Sequence, residues 1–102
     1  MKPIRYTSRT PDWSLIPDSM IGPLRRYIEN GIPPGDFMTA VLSNDLREAC
    51  ARADDINRPR LFEYVKFLHA YAPYSCWGSL KSVKAWVSEG GLGWPIAKET
   101  TR

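Results

Sequence analysis

The sequence predicts an all-α fold: a compact single domain of three to four short helices joined by Pro/Gly-rich connectors. The chain has 102 residues, which is the usual size of one domain. Apolar residues recur at helical spacing in several segments, whereas no segment alternates apolar and polar residues as a half-buried strand does. Glycines and prolines separate these segments, as they do in short loops between packed helices.

The two ends of the chain lack this helical pattern. Residues 1–16 are predicted to be an N-terminal arm, because they combine scattered charges and prolines with no periodicity. The helical domain is expected over residues 17–97, and a short C-terminal tail over residues 98–102. The side chains expected to dock the arm and the end of the chain against the domain are Trp13, Leu15, Ile16, Trp94 and Ile96.

The first helix is predicted over residues 18–30, where apolar side chains fall on one face. Pro23 is tolerated only in a first turn, so the regular part of the helix is expected to begin near Ile21. Gly31 supplies the expected stop. Glu29 is predicted to face away from the core.

The next predicted helical region, residues 36–53, contains a carboxylate where its pattern calls for apolar side chains. The region follows the stiff connector GIPPG, and Asp36 is predicted to cap it. Asp45, near its middle, shares a face with Leu42 and Leu46. The role of Asp45 therefore decides whether this region is one helix or two.

Three interpretations of Asp45 stay open at this level. In the first, the helix breaks near Ser43 and Asn44, and Asp45 caps a second helix with Glu48 as its capping-box partner. In the second, one helix continues and Asp45 is a buried carboxylate paired with an arginine or with backbone N–H groups. In the third, Asp45 is a functional acid, although no partner base is evident. Glu48 and Arg52 are predicted to form an i,i+4 ion pair in any case.

A third helix is predicted over residues 58–72 with Asn57 as its N-cap, and a fourth over residues 80–89 between Ser79 and Gly90. Apolar residues cover more than half the circumference of the third helix. Such a helix either is central to the domain or presents a second binding face. The side chains predicted to face the core are Leu61, Val65, Leu68 and Ala72 of the third helix and Leu80, Val83, Trp86 and Val87 of the fourth.

Aromatic residues of the third helix and of the loop after it are the best candidates for an interaction surface. Tyrosine and tryptophan dominate the strongest contacts of protein interfaces. Core packing is the competing interpretation for most of the set, and Trp77, in a loop, is the member most expected to be exposed. The candidate binding residues are Tyr64, Phe67, Tyr71, Tyr74 and Trp77.

Residue types and spacing argue against an enzyme, a metal protein and a membrane protein. His69 is the only histidine, is expected to be semi-buried, and lacks a recognisable nucleophile and orienting group. Cys50 and Cys76 lack metal-ligand spacing and are expected to be reduced thiols in a cytosolic setting. No phosphate loop is present, and no apolar run approaches the roughly 20 residues of a membrane span. We therefore expect no catalytic residue, metal or cofactor.

The basic residues leave a nucleic-acid-binding function open as an alternative. The net charge is only +3, however, so attraction to a polyanion would be weak. A helix–turn–helix interpretation would insert the third helix into the major groove, where Glu63 lies beside Lys66 and opposes contact with phosphates. The basic residues considered for such a patch are Arg25, Arg26, Arg47, Arg52, Arg58, Arg60, Lys66, Lys81 and Lys84.

The segments NGIPPGDFMTAVLSNDLREACARAD and YSCWGS resemble those of small bacteriophage- and prophage-encoded proteins of about this length. The resemblance spans roughly residues 17–91 and rests mainly on the GIPPG…SNDL run. The family has no assigned activity, so it transfers no functional residues. It implies a phage accessory protein in the cytoplasm of a bacterial host, acting by binding a host or phage protein, for example to inhibit a defence or metabolic protein, or by self-association.

Overall fold

A computed structural model gives the fold for Tyr6 and residues 10–94, the part of the chain that the structure describes. Its α-helices are α1 (Asp18–Asn30), α2 (Asp36–Leu42), α3 (Leu46–Arg52), α4 (Leu61–Tyr71) and α5 (Leu80–Glu89). Short 3-10 turns occupy Trp13–Leu15, Arg58–Arg60 and Tyr74–Cys76. The predicted all-α class is confirmed, and no described residue belongs to a strand. Tyr6 and residues 10–94 contain five α-helices rather than three to four, because the predicted region 36–53 contains two.

Helix α1 has the predicted bounds, but its regular part does not begin near Ile21 as predicted. It starts at Asp18 and contains Pro23 in its interior, so one helical N–H donor is missing there. Gly31 ends the helix in the left-handed conformation, with φ at 69°, as predicted.

Tyr6 ties the predicted arm to the domain through a contact that the sequence did not reveal. Its ring packs edge-on against Trp13 and Trp94, with centroids 5.8 and 5.7 Å away. Its hydroxyl donates to the carboxylate of Glu29 at 2.7 Å, and Arg25 binds the same oxygen at 3.1 Å. Glu29 is therefore buried, and the prediction that it faces solvent is wrong. The predicted tail 98–102 and Ile96 lie outside the described residues.

The ends of α1 and α5 are joined backbone to backbone. A Cβ atom on Gly31 would lie 2.7 Å from the nitrogen of Gly91, so only glycine permits this approach. Beyond it, the amide of Leu92 donates to the carbonyl of Ile28 at 3.0 Å. The indole nitrogen of Trp86 also donates to this end of α1. The carbonyl of Ile28 is one that the end of a helix leaves without an intrahelical partner, and these bonds satisfy it; the carbonyl of Tyr27 also accepts from the amide of Gly31.

Two predicted caps take other roles, and one is confirmed. Gly35, not Asp36, precedes α2, and Asp36 is the first helical residue. Asn57 occupies the predicted N-cap position, before the 3-10 turn Arg58–Arg60, but its side chain makes no capping hydrogen bond; it is buried and accepts a hydrogen bond from the hydroxyl of Tyr64 at 2.6 Å. Ser79 accepts from the backbone N–H of Ser82 at the start of α5, as predicted.

The core lies between α4 and the surrounding helices. The largest side chains with almost no exposed surface are Ile16, Leu24, Tyr27, Ile28, Met38, Leu42, Tyr64, Phe67, Leu68 and Cys76. They come from the segment before α1, from α1, α2 and α4, and from the turn before α5. Because the inner side of α4 contributes three of them, its outer side is left to form a surface.

Candidate functional site: an apolar groove between α3 and α4

A tight turn at Ser43 and Asn44 separates α2 from α3. Asn44 adopts a left-handed conformation with φ at 61°, which asparagine tolerates better than most residues. The amide of Asp45 then donates to the carbonyl of Ala40 at 2.9 Å, closing the turn. The break near Ser43 and Asn44 is therefore confirmed.

Asp45 is the N-cap of α3. Its carboxylate accepts a hydrogen bond from the backbone N–H of Glu48 at 3.2 Å. Asp45 is exposed, so the interpretation as a buried carboxylate is wrong. The capping box is incomplete, because the carboxylate of Glu48 binds Arg52 at 2.8 Å.

The same turn directs Leu46 outward. A continuous helix would place Leu46 on the buried face with Leu42, but Leu46 begins a new helix and is 70% exposed. Leu46 and Ala49 together form one wall of a groove, and α4 forms the other wall. The groove holds about 200 Å³ and is lined by Ala40, Val41, Asn44, Asp45, Leu46, Ala49, Leu61, Phe62 and Val65.

Large apolar side chains stand on both walls of this α3–α4 groove. Phe62 is 70% exposed and Val65 is 45% exposed, facing Leu46 across the groove. A single exposed apolar residue is ordinary on a protein surface, but a contiguous apolar patch marks interaction sites. Since only Asn44 and Asp45 bring polar side chains to the lining, the groove suits apolar contact.

Charged residues lie on the opposite side of α3. Arg52 binds Glu48 within the helix and also reaches the carboxylate of Asp36 at 3.2 Å. The predicted i,i+4 pair is confirmed, with Asp36 as an additional member. All three side chains are at least half exposed, so this network contributes little to stability.

The predicted aromatic set does not form one surface. Tyr64 and Phe67 are fully buried, so they pack in the core. Tyr71 and Trp77 are partly buried against that core. Tyr74 is 83% exposed, and it, rather than Trp77, is the most exposed member of the set. Core packing therefore describes most of these residues.

Of the side chains that line the groove, the sequence pattern predicts Leu46, Leu61 and Val65 to lie on inward faces. Val65 was predicted to face inward, whereas α4 turns Tyr64 and Phe67 inward and leaves Val65 and Phe62 outside. On the last helix, Leu80 was likewise predicted to be inward and is 51% exposed. The excess of apolar residues around α4 was the one sequence signal of a second, exposed apolar face on this helix. It did not show which side of α4 would be exposed.

Several basic residues are engaged in ion pairs. Arg25 pairs with Glu29, Arg52 with Asp36 and Glu48, Arg58 with Asp55, and Arg60 with Glu63. Arg60 also donates to the carbonyl of Leu15. The outer side of α4 presents Phe62 and Val65 together with Lys66 and His69.

The two thiols and the histidine lie in different environments. Both cysteines are free, Cys50 exposed and Cys76 buried. Burial raises the pKa of the Cys76 thiol to about 12, so it stays protonated, whereas a nucleophile must be a thiolate. His69 is exposed and not semi-buried as predicted.

Two absences concern Tyr6 and residues 10–94, the described part of the chain. In that part of the chain, His, Cys, Asp and Glu form no group of three suited to a metal ion. None of its helices has the length and apolar character needed to cross a membrane.

Comparisons with protein-family models, with curated proteins and with solved structures find no match to this chain. The groove is thus interpreted from its own geometry and chemistry.

Proposed function

We propose that this protein acts by binding another protein, and that the α3–α4 groove is the contact surface. The exposed side chains of Leu46, Phe62 and Val65 around one apolar hollow carry this proposal. Burying large apolar side chains is the main source of interface free energy, at about 1.5–3 kcal/mol for each one fully buried. No catalytic role is part of the proposal.

The size of the groove points to the chemistry of the partner. An engineered cavity of about 150 Å³ binds benzene, and the groove holds about 200 Å³. It therefore accommodates one large aliphatic or aromatic side chain from a helix or loop of the partner. Phe62 and Leu46 would pack around that side chain, as residues around an interface anchor do.

The resemblance to phage-encoded proteins supports a further part of the proposal. The protein would be an accessory factor in the cytoplasm of an infected bacterium, and its partner a host or phage protein, such as a host defence or metabolic protein that it inhibits. This part rests on the sequence pattern of residues 17–91.

The test compares crosslinked captures from infected cells by mass spectrometry, using the wild type, Phe62→Ser and Leu46→Ser. We expect one partner with the wild type, and its loss with both groove variants. Tyr74→Ser is the matched control, because Tyr74 is 83% exposed and does not line the groove.

Retention of the partner by both groove variants would overturn the proposal, as would equal loss in the Tyr74 control or the absence of any partner. Loss of capture after nuclease treatment, with binding that weakens steeply in salt, would favour the nucleic-acid alternative instead.

A further inference from the structure

A second apolar surface lies between the connector and α5, apart from the α3–α4 groove. It holds about 300 Å³ and shows little polar surface. Leu80 on this surface is 51% exposed, and Pro33 is also exposed. We call it the proline face; its lining residues are Pro33, Pro34, Thr39, Leu80, Val83, Lys84 and Val87.

The proline face has rigid edges. Pro33 and Pro34 fix their own φ angles, so the backbone at this edge of the face is stiff. Because proline carries no N–H group, neither residue leaves a backbone donor in need of a hydrogen-bond partner. Val83 is buried and anchors the opposite edge on α5. A rigid apolar face loses less conformational entropy on binding than a mobile one.

Opposite charges flank this face. Lys84 lines it, and among the described residues it forms no ion pair. An acidic pocket of about 290 Å³ adjoins it and shares Thr39 and Leu80 with it.

The acidic pocket carries a net negative charge. Asp36, Asp45 and Glu48 line it together with Arg52, so three carboxylates face one guanidinium. The side chain of Asp36 is 85% exposed, compared with 51% for those of Glu48 and Arg52. It also lies two residues after Pro34, at the edge of the proline face.

This pattern is self-complementary. A two-fold axis pairs each patch of a surface with the matching patch of the second copy, so that residue i meets residue j and residue j meets residue i. An axis through the apolar centre near Leu80 would set the Lys84 of each copy against the Asp36 of the other. We propose that the proline face is a homodimer interface, with a second copy of this chain as its occupant.

The test measures the oligomeric state of the full chain by sedimentation velocity over a wide range of concentrations. In a dimer of either variant, Lys84→Glu or Asp36→Lys, both contacts between residues 84 and 36 of the two copies would pair like charges. We expect each to weaken self-association by at least about tenfold, since like-charge contacts across an interface are strongly unfavourable. Mixed in equal amounts, the two variants should associate again. In the mixed dimer the two substituted side chains meet with opposite charges, and the native pair forms on the second side.

Lys81→Glu is the matched control. It makes the same charge change on α5 at an exposed residue that does not line the proline face. Leu80→Ser tests the apolar centre without changing a charge, and we expect it to weaken association as well. Circular dichroism and melting curves establish that each variant is folded.

A wild type that stays monomeric at every concentration would overturn the dimer, as would charge variants that associate like the wild type or a mixture that fails to associate. The inference does not depend on the proposed function. Phe62→Ser should leave self-association unchanged, and Lys84→Glu should leave partner capture unchanged. The failure of one proposal is therefore distinguishable from the failure of the other.

Discussion

The two sides of α4 carry similar residues in different environments. On the inner side, Phe67 has no exposed surface and packs on Trp13 with ring centroids 4.6 Å apart. On the outer side, Phe62 is five residues earlier in the helix and is 70% exposed. The comparison shows that residue type alone does not assign a function to an aromatic side chain. The turn before α3 and the packing of α4 decide which phenylalanine stabilises the fold and which is available to a partner.

The largest expected difference comes from truncating each phenylalanine in turn. Phe67→Ala should lower the free energy of unfolding by about 3–5 kcal/mol, because it leaves a cavity in the core. Phe62→Ala should change it by no more than about 0.5 kcal/mol, as exposed substitutions usually do. Urea unfolding measures both. Equal losses would mean that the two sides of α4 are not as different as their exposure indicates.

A smaller effect should follow from removing a single hydroxyl on the inner side. Tyr64→Phe keeps the ring contact with Phe37 but leaves the buried amide oxygen of Asn57 without its donor. We expect a loss of about 1–3 kcal/mol in the free energy of unfolding. Tyr74→Phe, on an exposed ring, should leave the urea midpoint in place. A midpoint for Tyr64→Phe that matches the wild type would show that another group satisfies Asn57.

The smallest effect concerns the cap that orients α3 beside the outer side of α4. Asp45→Ala should cost about 0.5–2 kcal/mol in thermal or urea unfolding, because the N–H of Glu48 loses its acceptor. Asp45→Asn should cost much less, since asparagine caps about as well as aspartate. If both variants melt like the wild type but lose the partner, the carboxylate belongs to the binding surface, as the third interpretation of the sequence holds.

The sequence was most informative where a local signal decides the structure. Gly31 ends α1 and Ser79 caps the start of α5, as predicted. Both signals are local, because a left-handed glycine and a side-chain acceptor act within one helical turn. The break before Asp45 could be included among the three interpretations because its signal is also local: Ser43 and Asn44 are unfavourable in a helix interior.

The sequence was least informative where distant segments meet. Tyr6 buries Glu29 across 23 positions of the chain, so the helical pattern around Glu29 could not reveal its partner. The α3–α4 groove was missed for a related reason. Leu46 faces outward only because the turn at Asn44 resets the helical phase, and α4 offered more apolar residues than one core can cover. Which of its sides faces the core depends on α1, α2 and the arm together.

The glycine contact between the ends of α1 and α5 has a consequence for the order of folding. The indole nitrogen of Trp86 donates to carbonyls that lie 59 and 58 positions earlier in the chain. Closing so long a loop costs more chain entropy than forming a helical turn. The α2–α3 hairpin can form within its own segment, whereas this junction must wait for both ends of the domain to meet. We expect a substitution such as Gly91→Ala to act mainly on the unfolding rate in stopped-flow experiments, because a contact made after the rate-limiting step leaves the folding rate unchanged.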